Sequence, residues 1–146
     1  MILGYKKFFP WGEPTHFRLK ILLGEKKHSI RQDKNNRWRA GMKIQHAHGV
    51  RTKQYNHFAD GECKSVQKIS IQEVEYAQYG NYVYILKVRD MEFIKAFLVK
   101  VDDKRLDRAD IITLAHNDGF ETADDFFRWF FNGFEGKIIH FTDLKY

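Results

Sequence analysis

The sequence predicts an α+β domain in which a small β-barrel of about six strands carries flanking helices early and late in the chain. Three observations lead there. Six segments read as strands, at residues 26–32, 42–48, 62–76, 82–88, 92–101 and 137–142. Helix-like segments are confined to residues 15–23 at one end and to 105–116 and 123–131 at the other. Within 62–76 the apolar residues change parity, with Val66 and Val74 even but Ile69 and Ile71 odd. A flat strand keeps one parity, so a bulge is expected there, as at the corners of small barrels.

Each element has its own signal. Residues 2–9 read as an extended edge, which Pro10 and Pro14 interrupt. Thr15 is placed to cap a short helix and Gly24 to stop it. In 26–32, alternation sets His28 and Ile30 against Lys27, Ser29 and Arg31. Met42, Ile44 and His46 share a side of the second strand, and residues 49–61 are polar and loop-like. Residues 82–88, YVYILKV, are apolar on both faces and read as a central strand, preceded by a turn at Gly80-Asn81; Asp90 leads into the next strand. Leu106, Ile111 or Ile112, and Ala115 form one side of the helix closing at Asn117-Asp118-Gly119. Thr122 and Asp125 make a capping box for the Phe-rich helix, whose spacing fits a buried face.

Composition narrows the function classes. The 146 residues suffice for one core, so a single domain over 1–146 is expected, with 1–14 an extension of no assigned role. The lone Cys63 excludes an intrachain disulfide and offers no multi-thiolate zinc site. No run of 18 apolar residues is present, and the first residues lack the apolar stretch of a secretory signal, so a cytoplasmic protein without membrane partners is expected. Residues 1–73 carry 15 Lys/Arg against 6 Asp/Glu, whereas 74–146 carry 10 against 13. That asymmetry points to a polyanionic partner or to a basic solvated face.

The densest chemistry lies in Gly24-Glu25-Lys26-Lys27-His28-Ser29-Ile30-Arg31. Gly24 permits close backbone approach to a ligand, Lys26, Lys27 and Arg31 suit phosphate, and the Ser29 hydroxyl can donate, accept or attack. The same pattern also describes a basic edge strand guarded by its lysines. Trp38, flanked by Arg37 and Arg39, either stacks a base beside phosphate-binding guanidiniums or plugs one end of the barrel. His46 and His48, with His57 and Cys63 downstream, make a metal candidate that requires a third and fourth ligand to converge from a loop of unknown path. Asp118 also fits an ordinary turn beside Gly119.

The run G-x-K-x-x-[ST]-x-R appears as Gly24, Lys26, Ser29 and Arg31. Arg37-Trp38-x-x-Gly41 follows before a strand, and Asn117-Asp118-Gly119-Phe120 later leads into a helix. Together, over residues 15–141, they resemble the ASCH domain, a relative of the PUA RNA-binding domain. The resemblance implies a PUA-like barrel whose cleft, between barrel and helices, takes RNA, a nucleotide or a modified nucleoside. It implies Gly24, Lys26, Lys27, Ser29, Arg31, Arg37 and Trp38 as ligand-binding residues. Some ASCH proteins are small amidohydrolases that remove the acetyl group of N4-acetylcytidine with a lysine, a threonine and a glutamate. By similarity those roles fall on Lys26, Ser29 and Asp118. Serine keeps the hydroxyl, while aspartate keeps the charge and shortens the reach by one methylene. No metal or cofactor is expected.

Overall fold

Two sheets organise the α+β fold. The computed structural model describes residues 1–75, 78–88 and 93–146. The smaller sheet has the order β1 (Ile2–Tyr5), β3 (Lys43–His48), β4 (Asn56–Glu62), with β1 parallel to β3. The larger sheet runs β2 (His28–Arg31), β9 (Phe134–His140), β5 (Ser65–Val74), β7 (Phe93–Val101), β6 (Tyr84–Val88), and β8 (Lys104–Arg105) pairs with β7. Among the described residues no ladder joins the two sheets into a closed barrel. Tyr76, Asp90 and Glu92, expected at or near the ends of strands, lie outside the described residues.

Nine strands are present among the described residues where about six were expected. The additions are β4 and β8, too polar and too short to carry an alternation signal, and β1, which lies within the extended edge read at residues 2–9. In β4 no residue is fully buried, so the segment NHFADGE reads as a loop although it hydrogen-bonds along β3. The bulge also falls elsewhere. The register of β5 with β7 and with β9 runs without a shift, and the irregularity sits between His46 and Ala47 in the β3–β4 ladder. In β5 the odd residues Gln67, Ile69 and Ile71 are buried, while Val66 and Val74 are half-buried on the other face. Strand β6 lies at an edge, not at the centre. Its apolar character serves packing instead: Leu86 is buried, and Tyr84 stacks on Phe127 with centroids 4.8 Å apart.

Three helices complete the described structure. Helix α1 (Phe17–Leu22) is entered through His16 in the left-handed region, at φ 57°, and not through a Thr15 cap. The Thr15 hydroxyl accepts from the Phe17 amide at 3.4 Å and donates to the Lys6 carbonyl at 2.7 Å, tying the chain after β1 to the start of the helix. Gly24, at φ +76°, ends α1 by adopting a conformation that a side chain would disfavour. Helix α2 (Arg108–Asn117) is capped by Asp107, and α3 (Ala123–Trp129) by Thr122, whose hydroxyl accepts from the Asp125 amide at 3.1 Å. Phe126 and Phe127 of α3, Ile111 and Leu114 of α2, Phe97 of β7, and Ile138 and Ile139 of β9 are fully buried. Rings so placed remove the most apolar surface per residue, which fixes the helices against the larger sheet.

Candidate functional site

A cavity of about 830 Å³ has a wall drawn from β1 and the residues after it, from α1 and β2, from the β3–β4 connection, and from the ends of α2 and α3. Lys26, Ser29, Arg31 and Asp118 all line it, although Asp118 is 92 residues from Lys26 in sequence. The strand alternation brings Ser29 and Arg31 to the same face, and the α1–β2 turn delivers Lys26 beside them.

Lys26 is only 3% exposed. Its ammonium donates to the Asp118 backbone carbonyl and lies 3.3 Å from Asp118 Oδ1. The ring of Phe17 faces the ammonium at 4.6 Å and that of Tyr5 at 5.8 Å. Burial pushes the Lys26 amine down to about 8; Asp118 opposes the change, while Arg31 and Lys20 add to it. At neutral pH it is therefore mainly a cation, with a neutral fraction of roughly one in ten.

Arg31 organises the opposite side. Its Nε donates to Ser29 Oγ at 3.0 Å and its Nη2 to the Gly4 carbonyl at 2.8 Å. The guanidinium lies 5.2 Å from the centre of the Tyr5 ring. Because Arg31 occupies an acceptor site of Ser29, the serine proton is left to point at a ligand. Among the described residues no hydrogen bond joins Lys26 Nζ to Ser29 Oγ.

Behind this wall, the Tyr5 hydroxyl lies 2.7 Å from His46 Nδ1. Burial, then Lys26, pushes His46 down to about 4, so the ring is neutral and accepts from the phenol. Burial raises the Tyr5 hydroxyl well above its ordinary value, which keeps it a donor.

Comparison of the chain with protein-family models, with curated proteins and with solved structures gives no match. The site stands on its geometry.

Four residues singled out by sequence lie elsewhere. Gly24 and Lys27 border a separate, smaller depression with Lys20, His116 and Asn117. Lys27 parts from Ser29 and Arg31 because β2 starts only at His28 and the Lys27 amide is bound to the Asn117 carbonyl at 2.7 Å. Trp38 is buried in the core, and Arg37 is exposed, their amides held by the Asp33 carboxylate. Of the histidines, His46 is engaged by Tyr5, and His57 contacts Asp60 at 2.8 Å. Among the described residues no three His, Cys, Asp or Glu side chains converge.

Sequence reasoning also missed part of the wall. Residues 1–14 had no assigned role, yet Gly4, Tyr5, Lys6, Lys7 and Phe8 line the cavity. Gly49, Val50, Thr52 and Gln54 of the polar connection line it as well. The basic pair Lys6-Lys7 beside aromatics was the available signal; nothing local shows that it meets a strand far along the chain.

Proposed function

We propose that this cavity binds a nucleotide, free or at the end of an RNA strand, and that the chain is a PUA-like domain of the ASCH type. On this reading the two sheets correspond to the two parts of a PUA-like barrel. The observation that carries it is the convergence of Lys26 and Arg31 on a hollow that also presents Tyr5 and Phe17. Cations of these two types suit phosphate, and aromatic faces suit a base. Lys6 and Lys7 add positive charge to the same wall. The volume falls within the range of small-molecule sites, roughly 300–1,000 Å³. The test is titration of nucleoside monophosphates and short RNA oligomers at several salt concentrations. Affinity should fall steeply with salt as contacted phosphates release their counterions. Retention unchanged in the Lys26→Glu, Arg31→Glu double variant would remove the reading.

One observation favours a second reading, amide hydrolysis on an acylated nucleoside: the buried Lys26–Asp118 pair beside the Ser29 hydroxyl. Ser29 Oγ would attack the amide carbonyl carbon while the neutral fraction of Lys26 takes its proton. The C–N bond would break as Lys26 returns that proton to the leaving amine, and water positioned by Asp118 would release the acyl group. Ligand binding must bring Lys26 within reach of Ser29 for this to proceed. Failure to release acetate from N4-acetylcytidine would eliminate it in that form.

A further inference from the structure

The Asp118 carboxylate has a second buried partner besides Lys26. His28, with no exposed surface, places Nδ1 3.1 Å from the same oxygen, Oδ1. On the far side of the ring, His28 Nε2 lies 2.6 Å from the Tyr146 hydroxyl. Asn117 Nδ2 donates to that hydroxyl at 3.1 Å.

The protons on this chain can be assigned from chemistry alone. A carboxylate only accepts, so His28 carries its proton on Nδ1 and donates it to Asp118. Burial lowers the His28 basicity, so the ring is neutral and Nε2 must accept. Tyr146 therefore donates to Nε2, and its oxygen takes the Asn117 proton. Each group has a defined role, and the chain runs from Tyr146 through His28 and Asp118 to Lys26.

The tail that carries this phenol is itself held. Gln67 Nε2 donates to the Tyr146 carbonyl at 2.8 Å, and Gln67 Oε1 accepts from the Tyr146 amide at 2.9 Å. Gln67 Oε1 also lies 2.9 Å from His140 Nε2. Tyr146 is thus fixed by three residues from three elements, β5, α2 and β2, none of them its sequence neighbour.

We propose that Tyr146, acting through His28, is a positioning residue that holds the Asp118 carboxylate on the Lys26 ammonium. Without the phenol, the buried His28 Nε2 has no donor and the ring loses its anchor on the far side, so it turns away from its present orientation. The Nδ1–H then leaves Asp118 Oδ1, and the carboxylate loses the donor that fixes it. Asp118 turns away and Lys26 loses its counter-charge. The charge of the cavity's central cation is in this way set by a residue beyond its wall. The inference rests on the proposed site for its importance to ligand, and the test below needs no ligand.

The experiment is an NMR titration of Lys26, labelled with ¹³C at Cε and assigned with Lys26→Arg, in the full chain. The charged and titratable groups facing Lys26 are Asp118 after α2, Arg31 on β2, Lys20 on α1, Tyr5 on β1 and His46 on β3. Tyr146→Phe alters none of them directly. Removal of a nearby opposite charge should lower the Lys26 midpoint by about one unit. The His28 Nδ1–H proton should resonate far downfield in the parent, as a donor to a carboxylate does, and move upfield in the variant. In a His28→Gln background, which removes the ring that links Tyr146 to Asp118, Tyr146→Phe should leave Lys26 unmoved. An unchanged or raised midpoint in Tyr146→Phe overturns the proposal. So does an equal fall in both backgrounds, because Tyr146 would then act other than through His28. If His28→Gln does not fold, the Nδ1–H shift in Tyr146→Phe alone decides the matter: a proton retained far downfield overturns the relay, and its upfield movement supports it. Failure of nucleotide binding with the expected titration intact would sink the proposed function and leave this relay standing.

Discussion

Lys26→Met tests the electrostatic description of the cavity at its most sensitive point. The Lys26 amine falls from its ordinary 10.5 to about 8 on folding, chiefly through burial. A gap of about 2.5 corresponds to about 3 kcal/mol, at 1.36 kcal/mol per pKa unit. The folded value is the lower one, so the folded state binds fewer protons than the unfolded state between pH 8 and 10.5. Stability therefore rises with pH across that window. Below pH 8 the full cost of the buried ammonium is present, and above 10.5 it is gone. Lys26→Met also removes the contacts with Asp118, and the pH dependence of that ion pair is already contained in the lowered amine value. The difference between parent and variant unfolding free energies should thus change by about 3 kcal/mol from pH 7 to 10.5, the parent gaining. Urea unfolding of both proteins at half-unit pH intervals measures it. Parallel curves would refute the reasoning, because a lysine with an unshifted amine contributes no such slope.

Three further outcomes are expected. Affinity for a nucleoside monophosphate should fall as pH rises from 7 to 9, since Lys26 loses its charge around 8; fluorescence titration across that range checks it. Arg31→Lys keeps the charge but cannot bridge both Ser29 Oγ and the Gly4 carbonyl, so affinity in calorimetry should drop by about tenfold while the salt slope stays the same. Gly61→Ala places a methyl 2.8 Å from His46 Nε2 and pushes that ring off the Tyr5 hydroxyl, costing about 1–3 kcal/mol in chemical denaturation.

Much of the fold was legible locally. The spacing of Phe126, Phe127 and Phe130 marked a buried helix, and Thr122 and Gly24 marked a start and a stop, because capping and left-handed turns depend on one or two residues. The edge position of β6, the strand β4 and the bulge at His46 were not legible. Pairing partners decide these, and YVYILKV is equally apolar whether one neighbour or two lie beside it. The candidate site divides in the same way. Alternation put Ser29 and Arg31 together, but it assigned Lys27 to them as well, because the point at which β2 begins is set by the Asn117 carbonyl and not by the residues of the strand.

By itself, then, the sequence settled which residues carry charge, hydroxyl and ring, and which segments bury an apolar face. Only the tertiary structure decided that Tyr5, Lys26, Arg31 and Asp118 share one hollow. Side-chain chemistry is a property of each residue, whereas the burial that lowers the Lys26 amine is created by elements far apart in the chain.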